Sequence, residues 1–262
     1  MGRPEDPILF MAKVNGGQVK ICVLGANSAI ALACIERWAR AGHQLYLVAR
    51  NAEALKRNSQ DLSVRFNRPF PSEIMDLDLL DQHEAVLARA AAALTGLDLV
   101  FMAHGALGNQ TQDQTEWPSI HANLTTNFLS CASLATHAAN FFEQQGHGSI
   151  AVIGSVAGDR GRPSNYIYGS GKGALAIFLS GMRARLAKKG VHVLTIKPGF
   201  VRTPMTAHKA HGLLFASPER VARAIQKAVE KRKNVVYIPF WWWGIMTVIR
   251  LIPEFIFKRL PS

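Results

Sequence analysis

Tyr168 and Lys172 stand four residues apart in Tyr168-Gly-Ser-Gly-Lys172. On a helix that spacing projects both side chains from one face, and an ammonium held beside a phenol favours the phenolate. A phenol in that setting can give up and take back a proton during a reaction. Ser155 lies thirteen residues before Tyr168, just past the apolar run 149–153, where a strand end would deliver its hydroxyl to the edge of a sheet. The three groups together describe proton transfer to an oxygen that a hydroxyl holds. A Tyr and a Lys four apart also occur on solvated helix faces, so the surrounding elements must decide between the two readings.

The chain opens with an apolar, β-branched run at 19–24, then Gly25-Ala26-Asn27-Ser28-Ala29-Ile30-Ala31, then a helical pattern through Ile35, Trp38 and Ala39. Strand, tight turn and helix form the context in which helix-terminal amides hold a phosphate. A second strand at 44–48 ends in Ala49-Arg50-Asn51. No acid is present there to accept from a free ribose 2′-hydroxyl, and Arg50 suits a 2′-phosphate, which favours NADPH over NADH. The alternative has Arg50 simply opening a solvated helix over 51–62. Further strands are expected at 72–75, 97–103, 149–153 and 191–196, with helices at 80–94, 116–145 and 168–188 between them. Ser217-Pro218 is a cap-and-proline helix start, and Val221, Ala224, Ile225, Ala228 and Val229 form the stripe of a helix running to about residue 233. This alternation predicts an α/β fold, a Rossmann-like doubly wound parallel sheet in a single domain.

At 262 residues the chain suits one such domain, expected over 19–239, with an N-terminal extension at 1–18 and a tail at 240–262. The extension lacks the basic start and cleavage site of a secretory signal. Cys22, Cys34 and Cys131 have no metal spacing, and His208 and His211 lack a third ligand nearby, so no metal site is expected. A reducing cytoplasm is the natural compartment for three such cysteines. The net charge of +12 is lopsided: residues 183–262 hold 16 Lys or Arg against 3 Asp or Glu. That balance suits an anionic partner or a solvated face. No basic stripe with interleaved aromatics accompanies it, so nucleic acid is not an expected partner, and a non-catalytic dinucleotide- or nucleic-acid-binding protein is the remote alternative. Residues 235–249 are uncharged and include Trp241, Trp242 and Trp243, with Arg250, Lys258 and Arg259 close behind. Pro239 and the short length argue against a spanning helix, leaving either a membrane-interface element or packing against the core or a second copy.

With these pieces placed, the chain resembles the short-chain dehydrogenase/reductase family over 19–239. Ser155 and Tyr168-x-x-x-Lys172 match the family's catalytic Ser and Tyr-x-x-x-Lys, and Asn127 lies where its catalytic Asn sits; Tyr166, six residues from Lys172, does not fit the pattern. The resemblance implies cofactor contacts from Gly25, Asn27, Ser28, Ala29, Ile30, Asp76, Leu77, Ala103, Gly105, Pro198, Gly199, Val201 and Thr203, besides Arg50, Tyr168 and Lys172. Two motifs depart from the family pattern: the phosphate turn keeps only its first glycine, and Ala103-His104-Gly105 replaces Asn-Ala-Gly. The implied reaction is hydride transfer between NADPH and a carbonyl or secondary alcohol. Tyr168 would protonate the oxygen, Ser155 would bond it, Lys172 would bind the nicotinamide ribose, and Asn127 would hold a relay water. The Arg160-to-Tyr166 segment, Thr203-Pro-Met and the basic, tryptophan-rich end are similar to reductases of polyprenyl-phosphate-linked keto-sugars, such as decaprenylphosphoryl-2-keto-erythro-pentose. That substrate implies a cytoplasmic enzyme peripheral at the membrane; the alternative is a cytosolic reductase of small ketones or 3-oxoacyl thioesters. Family members form homodimers or homotetramers through the helices expected at 116–145 and 168–188.

Overall fold

The strands are β1 (Lys20–Leu24), β2 (Gln44–Ala49), β3 (Ser72–Ile74), β4 (Leu99–Met102), β5 (Gly148–Ile153), β6 (Val191–Pro198) and β7 (Val235–Ile238). The computed structural model describes residues 17–207 and 212–260, so most of the expected N-terminal extension and both His208 and His211 fall outside the described residues. All the strands pair in parallel, in the order β3-β2-β1-β4-β5-β6-β7. The order reverses between β1 and β4, which opens a crevice beyond their carboxyl ends.

Helices α1 (Ala29–Arg40), α2 (Ala52–Phe66), α3 (His83–Leu94), α4 (Gln110–Asp113), α5 (Trp117–Leu124), α6 (Ser130–Gln145), α7 (Tyr166–Leu186), α8 (Pro218–Glu230), α9 (Trp241–Leu251) and α10 (Glu254–Phe257) connect and follow the strands. Alternate residues of each strand enter opposite core layers because successive side chains point to opposite faces. In β1, Ile21 and Val23 join the layer with Ile35, Trp38, Val221 and Ile225, while Cys22 and Leu24 join Val86, Leu134, Leu175 and Leu179. A doubly wound α/β sheet in a single domain follows from this packing.

Two stretches differ in detail from the sequence reading. The helix expected over 116–145 is broken by a π turn, Thr125–Leu129, that separates α5 from α6. The uncharged run 235–249 is not one element: its first four residues pair with β6 as a seventh strand, and the chain turns at Pro239 into α9. Proline has no N–H to continue a ladder, so it stops the strand. Trp242 and Met246 of α9 are buried with Val156, and Phe200 and Tyr237 pack against them.

Candidate active site

The phosphate turn is set by Gly25. Its φ is +84°, and a Cβ there would lie 2.6 Å from the His104 amide nitrogen and 2.9 Å from the Ala103 carbonyl carbon. Only glycine fits both the dihedral and the approach of the chain leaving β4. Ser28 then caps α1 by accepting from Ala31 N at 3.2 Å, which leaves the amides of the first turn at the crevice. Asn27 ties the turn to the neighbouring helix through Asn58 at 3.0 Å and the Asn51 carbonyl at 3.1 Å.

Ser155 leaves β5 and caps a short 3-10 turn, Val156–Asp159, accepting from Ala157 N at 3.1 Å. With a lone pair engaged there, its hydroxyl proton is free to be donated. The turn lies flat on α7, and a Cβ on Gly158 would fall 2.6 Å from the Lys172 carbonyl carbon. That contact brings Ser155 to the helix that carries Tyr168 and Lys172. Lys172 is 2% exposed, and its Nζ donates to the Ile153 carbonyl at 3.1 Å and lies 5.9 Å from the Tyr168 ring centre. An ammonium has three protons, so two remain for groups in the crevice.

Asn127 is fully buried on the π turn. Its Nδ2 donates to Ala106 O at 2.7 Å and to the Asn123 carbonyl and Oδ1 at 3.0 and 2.9 Å, and its Oδ1 accepts from Ala106 N at 3.2 Å. The side chain is thereby spent on fixing the loop after β4. A cleft of about 350 Å³ is lined by Asn27, Ser28, Ala29, Ile30, Ala103, Gly105, Ser155, Tyr168, Lys172, Pro198, Gly199, Val201 and Thr203. Gly25, Asn127, Arg50, Asp76 and Leu77 lie outside that lining. Arg50 and Asp76 meet as an exposed ion pair at 3.4 Å, farther along the same edge of the sheet, and the Leu77 side chain is in the core.

Several lining residues were not among the expected site residues, although His104 stands within Ala103-His104-Gly105, and Pro204 and Met205 within Thr203-Pro-Met. Ile153, Gly154, Pro204, Met205 and Thr206 complete the wall, together with His104. The His104 Nε2 lies 3.0 Å from Ser130 Oγ and 3.3 Å from Cys131 Sγ, and Ser130 in turn donates to the Leu77 carbonyl. Nε2 therefore carries the proton. Burial, reinforced by Lys172 and His83, pushes the His104 pKa down to about 3, so the ring is neutral at physiological pH.

The C-terminal helices reach the same site. A Cβ on Gly199 would fall 1.9 Å from Trp242 Nε1, so α9 packs directly beneath a cleft-lining residue. The far end of the Ser155 turn is tied down twice. Asp159 bonds Lys197 at 2.5 Å and Tyr237 at 2.7 Å, and burial, reinforced by the bond to Asp159, pushes the Tyr237 phenol up. Arg160 donates to the carbonyls of Ile249, Arg250 and Ile252 at 3.3, 3.1 and 2.8 Å, pairs with Glu254 at 2.7 Å, and stacks on Phe257 at 4.0 Å. Among the described residues no group of three or more potential metal ligands occurs, and no helix is long and apolar enough to cross a membrane.

A doubly wound sheet with a phosphate turn at its switch point, and a Ser, a Tyr and a Lys sharing the cleft beside it, defines a dinucleotide-dependent oxidoreductase. Residues 19–213 match the family model described as short chain dehydrogenase. An uncharacterized oxidoreductase of Mycobacterium tuberculosis is 34% identical over 245 residues, 94% of this chain and 98% of that one. The human 3-oxoacyl-[acyl-carrier-protein] reductase is 29% identical over 192 residues, 71% of this chain and 78% of its own. A short chain dehydrogenase from Burkholderia cenocepacia, solved in complex with NADP, has a TM-score of 0.77 at 18% identity and covers 94% of this chain and 98% of its own. The chain belongs to the short-chain dehydrogenase family.

Proposed function

We propose that this protein is an NADPH-dependent reductase that converts a carbonyl to a secondary alcohol. The observation that carries the reading is the single cleft in which Ser155, Tyr168 and Lys172 face the Gly25–Ile30 turn. The cleft fits a dinucleotide on its own terms: the Gly25 approach, the free amides of the α1 start and the buried Lys172 with unused protons are all suited to phosphate and ribose oxygens. Arg50 follows directly on β2, which carries no acid of its own there, and its exposed ion pair with Asp76 leaves it open to solvent; it favours the 2′-phosphorylated form, and the NADP in the Burkholderia structure agrees with that choice.

The chemistry NADPH would supply when bound there is a hydride for the carbonyl carbon. Ser155 donates its free hydroxyl proton in a hydrogen bond to the carbonyl oxygen and so orients it. Tyr168 transfers its phenolic proton to that oxygen as negative charge develops, and the Lys172 ammonium stabilises the phenolate left behind while holding the nicotinamide ribose. Pro198, Gly199, Val201 and Thr203, which line the cleft, would hold the carboxamide end, and Asp76 with the main chain at Leu77, whose side chain is in the core, would lie toward the adenine. Asn127 acts through its main chain, since its side chain is committed to Ala106 and Asn123. A π turn interrupts the regular ladder at this point, which suits a relay water there.

For the substrate we propose a polyprenyl-phosphate-linked keto-sugar, reduced by an enzyme peripheral at a membrane. The basic C-terminal third and the tail packed beneath the cleft support this reading. A 3-oxoacyl thioester is the second reading, favoured by the human relative. We further propose self-association through α6 and α7, whose outer surfaces expose Leu129, just before α6, and Ile177. The test is NADPH consumption matched to alcohol formed, across polyprenyl-phosphate keto-pentoses, 3-oxoacyl thioesters and small ketones. Turnover with the first alone supports the keto-sugar, turnover with the second supports the alternative, and tight NADPH binding with no reduction of any carbonyl contradicts both.

A further inference from the structure

Helix α9 has two apolar faces, and only one of them is used. At about 100° per residue, Trp242, Ile245, Met246 and Ile249 share the side packed on Val156, Phe200 and Tyr237. Phe240, Trp243, Gly244, Thr247, Val248 and Leu251 fall together on an opposite arc of roughly 140°, and none of them is charged. Phe240, Trp243 and Leu251 are 80%, 64% and 77% exposed, and Phe255 of α10 continues the patch. The loop before α8 adds Leu213 and Leu214: Phe215 stacks on Phe200 at 5.2 Å, and Phe200 meets Trp242 at 5.4 Å, so loop and helix form one end of the molecule. A solvent-facing apolar patch of this extent marks a contact surface.

Its rim carries one sign of charge. Arg250, Lys258 and Arg259 are exposed along the same end, and Arg220 is held against Trp241 at 4.8 Å. The one acid of the tail, Glu254, is engaged by Arg160. A second copy meeting this patch across a two-fold axis would set positive rim against positive rim, which is repulsive. An anionic bilayer complements both features, because indole and phenyl rings partition into the headgroup region while Lys and Arg meet lipid phosphates.

The position of the patch relates it to the reaction. The helix starts directly beyond the carboxyl end of β7, on the sheet edge where the cleft opens, and its inner Trp242 lies under Gly199 of the cleft wall. We infer that the outer face of α9, with Leu213, Leu214 and Phe255, is a docking surface that seats the protein on an anionic bilayer with the cleft mouth beside the lipid headgroups. This deepens the proposed lipid-linked substrate reading, although the docking itself can be measured without turnover.

The test uses the full chain and sedimenting vesicles of phosphatidylcholine, alone or mixed with phosphatidylglycerol. Association with the mixed vesicles should be at least about tenfold tighter than with phosphatidylcholine alone and should weaken as salt rises. Two variants separate the contributions: Phe240→Ser/Trp243→Ser/Leu251→Ser removes the apolar arc and leaves the buried face intact, and Lys258→Glu/Arg259→Glu inverts part of the rim. Each should lower vesicle association at least about tenfold and leave NADPH affinity unchanged. Association indifferent to phosphatidylglycerol, or unaffected by either variant, overturns the inference. So does an apolar-arc variant that turns a dimer into a monomer while the parent ignores vesicles, which would assign the face to a second copy. NADPH consumption with the polyprenyl-phosphate keto-pentose or a 3-oxoacyl thioester, read in the same samples, keeps the two ideas apart. Its absence counts against the reductase reading alone, and its presence without vesicle association counts against docking alone.

Discussion

Replacing Arg160 by Ala removes a single guanidinium that serves the Ile249, Arg250 and Ile252 carbonyls, Glu254 and the Phe257 ring. The three carbonyls share one nitrogen, so they count together as about one charge-assisted bond, roughly 1.5 to 3 kcal/mol net. Glu254 is 75% exposed at its side chain, which limits that ion pair to at most about 1 kcal/mol. The stack on Phe257 adds about 0.5 to 1 kcal/mol. Partial rehydration of the freed carbonyls offsets some of this, leaving about 3 kcal/mol, or a factor of about a hundred in the opening of the tail. Hydrogen exchange reads that directly: amides of α9 should exchange about a hundredfold faster in Arg160→Ala, with β1 and β4 unchanged. Because Val156 packs on Trp242 and Met246, loosening α9 should also loosen the Ser155 turn, so turnover should fall while NADPH affinity holds. Unchanged exchange in α9, or an equal rise across the whole sheet, would refute the idea that Arg160 is the local tie.

Other substitutions probe separate parts of the account. Gly25→Ala places a Cβ 2.6 Å from the His104 nitrogen at a φ of +84°, and should weaken NADPH binding by at least about tenfold in a fluorescence titration. Arg50→Ala should raise the Kd for NADPH about 10- to 100-fold and leave NADH nearly unchanged, as expected for loss of one charged contact to a 2′-phosphate. His104 is neutral in the folded protein down to about pH 3, whereas in the unfolded chain it gains a proton near pH 6.5. The unfolded state therefore binds more protons across that window, and stability falls as pH drops through it. This histidine alone should remove about 2 to 3 kcal/mol between pH 6 and 4, and His104→Asn should flatten the denaturation-derived stability profile by about one proton.

The parts of this molecule that local spacing encodes were legible in the sequence. Period-two and period-3.6 patterns mark the sheet and its covering helices, and the four-residue step from Tyr168 to Lys172 puts both beside the cleft because a helix makes it so. The π turn at Thr125–Leu129 is hidden because an extra residue within a helix barely disturbs a periodic pattern. The seventh strand was hidden for a different reason: Val235–Ile238 and α9 are equally apolar, and composition alone does not mark where pairing with β6 ends. The tail posed two alternatives, a membrane-interface element or packing against the core or a second copy, and the inner face of α9 packs on the core. What fixes its inner face is the approach of Trp242 to Gly199 and of Arg160 to Ile252, contacts between residues far apart in the chain with no local signature. His104 stood out only as a departure from a motif, and its role as a neutral, half-buried wall of the cleft depends on Ser130 and Lys172 arriving from other elements.

The central claim, that Tyr168 supplies the proton to a carbonyl reduced in this cleft, is tested most directly by Tyr168→Phe, which removes one hydroxyl and keeps the ring. Single-turnover oxidation of bound NADPH by a carbonyl substrate should slow by about 10²- to 10⁴-fold while the Kd for NADPH stays within about twofold. A variant that oxidises NADPH at the parent rate would contradict the account.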